Sequence, residues 1–491
     1  MGQEINQTAF TPEDRRLYRA KVKTGLEVLR RMYDEGRFET NRDLMGVELE
    51  FHVVDGEGLP MHVNDELLAI IANEDFQTEL AQFNIEFNLA PHKLTGSVFR
   101  EILEELNTSY SHARSQAKTI DAHIMMMGTL PTVRDLDIQI EAMSQNHRYH
   151  MLNAQVLAAR GEDIVVNIDG AEPLSIRATS ITLEAAATSV QLHLQVAAKN
   201  FPRVWNAAQA IAASQVAVGA NSPFFLGHEL MQETRIAVFE QAMDTRTEEL
   251  ASQGVRPRVW FGERWIEHPL ELFEENSRFF PALLPEHGDE DAIAVLESGG
   301  VPHLSELNLL NGTVYRWNRP IYGVARGKAH LRVENRVLPA GPTMIDTVAN
   351  AAYWYGLVRA VADLERPISS GMSFQAAGES FQAAATDGIE SRLFWPGVGE
   401  VPASELILRT LLPLAAEGLA AWNIDRGDRD RLLTIIEQRC LKRQTGASWQ
   451  VAMRRHLLGR GMSPEKATLA MVREYRDGMV SGEPVHTWAL P

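Results

Sequence analysis

The chain has 491 residues, 45% hydrophobic and 23% charged, the profile of a globular protein able to bury a large core. Its 47 Lys and Arg against 65 Asp and Glu leave a formal net charge of −18, which argues against a general binder of nucleic acid or anionic membranes. The single cysteine, Cys440, excludes an internal disulfide framework and multi-cysteine metal sites.

Residues 1–12 lack a basic start followed by an apolar run, so no secretory signal is expected and the cytoplasm is the expected location. Thr11-Pro12-Glu13-Asp14 offers an N-cap, a proline at the first helical position and early acidic residues, which predicts a helix over 12–36. Alternating runs at 45–55 and 82–91 predict strands, and 97–119 predicts a helix with Val98, Ile102, Leu103 and Leu106 on one side. Strands are expected at 163–169 and 189–197, then an Ala-rich helix over 201–218. No Asp, Glu, Lys or Arg occurs from 204 to 228, a length that raises the question of a membrane span. Asn206, Gln209, Ser214, Gln215, Asn221 and Pro223 favour a buried helix followed by a turn instead. A last alternating run covers 329–338; beyond Pro342 the chain reads almost entirely as helices, with breaks around Pro396-Gly397 and Gly461. The echo of Ser373-Phe374-Gln375-Ala376-Ala377 in Ser380-Phe381-Gln382-Ala383-Ala384 reads as two turns of one helix. No Pro/Gly/Ser-rich linker divides the chain, which favours one large α+β unit.

Side chains two apart on a strand share a face. In 45–54, Val47, Leu49, Phe51 and Val53 oppose Glu48, Glu50 and His52; in 83–89, Phe83, Ile85, Phe87 and Leu89 oppose Asn84, Glu86 and Asn88. The same division sets Gln191, His193 and Gln195 on one face, and His330, Arg332, Glu334 and Arg336 on another. A solvated face would be stocked with Lys, Thr and Ser, whereas these four supply carboxylates, amides, imidazoles and guanidinium groups. If the strands are neighbours, the carboxylates suit a hard divalent cation such as Mg²⁺, and the arginines suit phosphate or carboxylate. A half-exposed sheet explains the same alternation. No Walker-type loop, second zincin histidine or Gly-x-Ser-x-Gly elbow is present.

These motifs, in this order from about 45 to 393, resemble the glutamate-cysteine ligase and carboxylate-amine ligase superfamily. Gly46-Val47-Glu48-Leu49-Glu50-Phe51 is similar to its opening strand, and Ile85-Glu86-Phe87-Asn88-Leu89-Ala90-Pro91 to its second acidic strand. Thr188-Ser189-Val190-Gln191-Leu192-His193-Leu194 resembles its central strand. Gly219-Ala220-Asn221-Ser222-Pro223-Phe224 with Arg235 resembles its Asn-Ser-Pro helix end and substrate-facing arginine. Val333-Glu334-Asn335-Arg336-Val337-Leu338 with Gly341-Pro342-Thr343 resembles its Glu-x-Arg strand. Departures stand at Gln191, where many relatives have histidine, at Pro339, where aspartate is common, and at Thr386, in a helix end that relatives often mark with a basic residue.

The resemblance implies a curved antiparallel sheet of glutamine-synthetase type forming an active-site bowl. It divides the chain into an N-terminal helix (1–44), a catalytic domain (45–395) and a helical C-terminal extension packed on it (396–491). It implies ATP-dependent ligation through an acyl phosphate, with small-molecule substrates, an amino acid such as glutamate and an amine such as cysteine. Implied metal ligands for Mg²⁺, or Mn²⁺, are Glu48, Glu50, Glu86 and Glu334, with Gln191 or His193 completing one ion. Glu334 and Arg336 are the implied catalytic residues, with Arg336 on the migrating phosphate or acyl oxygen and Arg235 on a substrate carboxylate. His330, Arg332 and Arg336 are implied on the nucleotide side. Arg148 lies in a segment where relatives also carry an Arg-Tyr pair; Cys440 reads as a core filler, and Trp260, Phe261 and Trp265 as pocket lining or buried packing. A homo-oligomer is compatible with the sequence. Alternatives are a non-catalytic nucleotide or amino-acid binder and a metal-dependent amide hydrolase.

Overall fold

The computed structural model describes residues 9–40 and 43–490. The expectation about the chain start falls largely on residues 1–8, outside the described ones. Helix α1 (Pro12–Asp34) begins as predicted: Pro12 occupies the first turn, and Thr11 and Asp14 form a reciprocal capping box.

The centre is an antiparallel, curled sheet of seven strands. They are β1 (Leu44–Val54), β2 (Phe76–Thr78), β3 (Asn84–Lys93), β4 (His123–Met125), β5 (Val190–Val196), β6 (Asn318–Ala325) and β7 (Lys328–Asn335). Their spatial order is β6-β7-β5-β1-β3-β2. Strand β5 pairs with Met45 to Leu49 of β1, and β4 continues on the same edge beside His52 to Val54. A register shift between Met45 and Val47 breaks the β1–β3 ladder, the kind of irregularity that bends a sheet.

Four of these strands are the ones the alternation predicts, and their apolar faces enter the main core. The fifth long strand, β6, was missing from that reading. It joins β7 through Arg326-Gly327, both with positive φ (53° and 72°), the backbone of a tight two-residue hairpin. Pro320 is tolerated in β6 because this strand lies at the sheet edge.

Helices cover the apolar side. These are α2 (Val98–Ala117), α3 (Phe201–Gly219) and α4 (Met344–Ala362), joined by α5 (Leu412–Ala421) and α6 (Arg426–Lys442). The Tyr355 hydroxyl on α4 donates to the His193 carbonyl at 2.8 Å, stitching this layer to the sheet backbone. The charge-free stretch is α3 and the turn after it, and no helix among the described residues is long and apolar enough to cross a membrane. The 163–169 strand is found at Ile164–Ile168, but in a separate hairpin with Leu174–Ala178. The break expected at Pro396-Gly397 is present as the turn of another hairpin, Arg392–Trp395 with Gly399–Pro402, two strands that the reading of this region as almost entirely helical did not include. The echoed segment forms one helix, Phe374–Asp387, capped by Ser373.

Candidate active site

Register decides which polar groups meet. Glu48 of β1 stands opposite Asn88 of β3 and Gln191 of β5, Glu50 opposite Glu86, and His193 opposite Glu334 of β7. All of these but Asn88 line one cavity of about 710 Å³ on the concave face, together with Arg332 and Arg336. Thus the strands are neighbours, and their polar faces converge.

Two groups of side chains bring ligating atoms within 4.8 Å of one another: Glu48, His193 and Glu334, and Glu50, Glu79 and Glu86. In the first, His193 Nε2 lies 2.9 Å from Glu48 Oε1. Burial alone would raise the Glu48 carboxyl, but attraction to and hydrogen bonding with His193 outweigh it and hold the group down at about 2. Glu334 is likewise held well below the carboxylate range: burial opposes this, and Arg319 and Arg336 overcome it. Arg319 grips Glu334 in a fork, Nε to Oε2 at 2.6 Å and a terminal nitrogen to Oε1 at 2.8 Å, while Arg336 reaches Oε1 at 2.8 Å.

The second group is under-compensated. Burial, then Glu48 and Glu50, push Glu86 up to about 8. Burial, then Glu86 and Glu50, raise Glu79 well above its ordinary range. Like charges directly opposed across strands, as Glu50 and Glu86 are, destabilise a sheet unless something neutralises them. A set of hard oxygen donors with this excess of negative charge fits Mg²⁺ or Mn²⁺.

Gln191 stands outside both groups. Its amide nitrogen donates to Glu50 Oε1 at 2.9 Å and its oxygen accepts from Arg336, so it bridges the two clusters. Arg332 reaches the cavity, and its buried Nε has no hydrogen-bond partner among the described residues. His330, two residues earlier, packs over Gly323 and lies outside the cavity lining.

Arg235 is turned into the protein. It pairs with Glu233 at 2.9 Å, lies 5.4 Å above the Trp317 ring, and donates to the backbone carbonyls of Arg336 and Val337. It does not line the main cavity but is part of the wall of a small recess with Glu50 and Arg336. His52, on the polar face of β1, is buried beyond the cavity next to Asn84, and burial depresses it to about 3. Phe261 and Trp265 pack on Phe374 away from the cavity, and Cys440 is buried.

The structure adds residues that the alternation did not reveal: Glu79, Glu184, Tyr149, Tyr315 and Arg319 line the same cavity, as does Arg148. Glu79 follows the three-residue strand β2, too short to show a period, and Glu184 lies in a 3-10 segment, Ile181–Ala186. Only Arg319 had a readable signal, the Arg326-Gly327 hairpin turn that sets β6 against β7.

The concave antiparallel sheet with helices packed on it has the glutamine-synthetase-like ligase fold. The model for glutamate-cysteine ligase family 2 matches residues 44–456, and the chain belongs to that family of C–N ligases. Among solved structures, glutamate–cysteine ligase from Francisella tularensis in complex with AMP is similar with a TM-score of 0.55 at 15% identity, over 93% of this chain and 91% of that one. A bifunctional glutathione synthetase from Pasteurella multocida is similar with a TM-score of 0.51 at 9% identity, over 93% of this chain and 55% of that one. Comparison with curated protein sequences gives no match.

Proposed function

We propose that this protein is an ATP-dependent carboxylate–amine ligase of the glutamate–cysteine type, joining an amino acid, with glutamate the expected donor, to an amine such as cysteine. The observation that carries the reading is the meeting of two carboxylate-rich groups with metal-ligand spacing and four arginines, among them Arg332 and Arg336, in one cavity. The family adds the C–N bond-forming class, and the AMP bound to the Francisella tularensis enzyme makes an adenine nucleotide the natural phosphoryl donor.

In this reading Glu48, His193 and Glu334 would hold one divalent ion, and Glu50, Glu79 and Glu86 another. Such ions neutralise phosphate oxygens and orient a transferring phosphoryl group. Arg332 offers its Nε, unpartnered among the described residues, to nucleotide phosphate. Arg336, locked by Glu334 and Gln191, holds the anionic oxygen of the donor carboxylate as it becomes an acyl phosphate. Arg235 acts as a positioning residue, because it grips the backbone that carries Arg336. The donor oxygen bonds to the γ-phosphorus as ADP leaves; the amine nitrogen then bonds to the acyl carbon as phosphate leaves.

Glu334→Gln and Arg336→Ala are expected to lower amino-acid-dependent ADP release at least about 100-fold while the variants keep their fold, the scale of loss for a charge-stabilising group. Wild-type turnover in both would overturn the assignment.

A further inference from the structure

Glu184 takes no part in either metal-ligand group, yet its carboxylate lines the cavity and also the recess behind Arg336. Among the described residues it makes no side-chain hydrogen bond or ion pair, whereas the carboxylates of Glu48, Glu50, Glu86 and Glu334 all have one. Glu184 is half-buried, so its carboxylate is partly withdrawn from water without a protein partner, and a ligand in the cavity is the partner this arrangement leaves room for. Its neighbours in the recess include Glu50, Thr188, Ser189, Phe239, Arg235 and Arg336. Arg235 is occupied by Glu233 and backbone carbonyls, and Arg336 by Glu334 and Gln191. What the wall offers a substrate at this point is therefore a hydrogen-bond acceptor of negative charge, matched to a primary ammonium.

We infer that Glu184 is the specificity residue for the amine acceptor, binding its ammonium group beside the acyl carbon. The inference rests on the ligase reading above. The position selects the acceptor over the donor: Glu184 shares its recess with Arg336, placed at the reacting carbonyl, and the ammonium that must reach this carbonyl is the acceptor's. In a glutamate donor the α-ammonium lies at the other end of the molecule. The acceptor arrives as R–NH₃⁺; one proton passes to the Glu184 carboxylate, the freed nitrogen lone pair forms the C–N bond, the C–O bond to phosphate breaks with its electron pair leaving on phosphate, and the second proton shed by the nitrogen passes to that departing phosphate.

The test uses the full-length enzyme with Mg-ATP, glutamate and either cysteine or hydroxylamine, a nucleophile that is uncharged at neutral pH. Glu184→Gln is expected to raise KM for cysteine about tenfold or more, the scale of a charge-assisted hydrogen bond. KM for hydroxylamine and for glutamate should move far less, and Glu184→Asp should recover part of the loss. An unchanged KM for cysteine in Glu184→Gln, or an equal loss with hydroxylamine, would overturn the inference. Absence of amine-dependent phosphate release in the wild type would instead overturn the ligase reading itself.

Discussion

Glu86 is caught between burial and two neighbouring carboxylates, and its proton affinity rises to about 8. Between the ordinary carboxylate range and that value, folded protein holds a proton that the unfolded chain has released. Metal-free stability should therefore fall as pH rises through this window. A divalent ion replaces that proton, so the rise in thermal midpoint on adding Mg²⁺ should be larger at pH 8 than at pH 6. Thermal denaturation with and without Mg²⁺ checks this, and Glu86→Gln should flatten both dependences; an equal Mg²⁺ shift at the two pH values would refute it. Cys440 offers a contrasting case, since burial pushes its thiol up to about 12. Thiol reagents should label it only in denaturant. At this scale the sequence was informative wherever a period-two pattern carried the residue, as for Glu48, Glu50, Glu86, His193 and Glu334. Glu79 and Glu184 escaped because a loop or a 3-10 turn imposes no period from which a side-chain direction can be read.

The element scale holds both the clearest success and the clearest gap. Strands β1, β3, β5 and β7 were legible because one face packs on helices while the other carries only polar chemistry, which makes the alternation strict. Strand β6 was not, since Pro320 and Gly323 dilute its pattern, although it delivers Arg319, the fork that fixes Glu334. Arg319→Ala should cost roughly 3–5 kcal/mol in urea denaturation, because it strips a buried carboxylate of a partner. Beneath the sheet, α4 and α5 cross so closely that a Cβ on Gly418 would collide with the carbonyl of Gly356, and one on Gly356 with the carbonyl of Ala415. Gly418→Ala should destabilise the fold by about 1–3 kcal/mol, measured the same way, and a neutral outcome would mean that this crossing relaxes freely.

Across the whole molecule, α4 is the hub. Its side chains are buried almost all the way round, from Met344 to Val358, so it must be covered on every side. It packs against α2, α3, α5 and α6, and Tyr355 ties it to the sheet. Arg439 on α6 forms a buried pair with Asp346 at 2.7 Å, and Tyr475, in the helix Pro464–Ser481, hydrogen-bonds Asn221 at the end of the charge-free segment. One hydrophobic cluster consequently runs from Tyr18 to Trp488. Truncation after residue 395 should expose α4 and abolish cooperative unfolding. The sequence places helices beyond 395, but a chain of helices carries no mark of which surface each one covers; that information lies in the packing.

The central claim is that the converging carboxylates and arginines serve nucleotide-driven amide formation. It is tested most directly by measuring phosphate release from Mg-ATP with amino acids and amines supplied singly and in pairs. The account predicts release that needs both partners, with glutamate and an ammonium-bearing acceptor among the productive pairs, and that is lost in Glu334→Gln. Release that ignores the amine, or no release with any pair while ATP is bound, would contradict it.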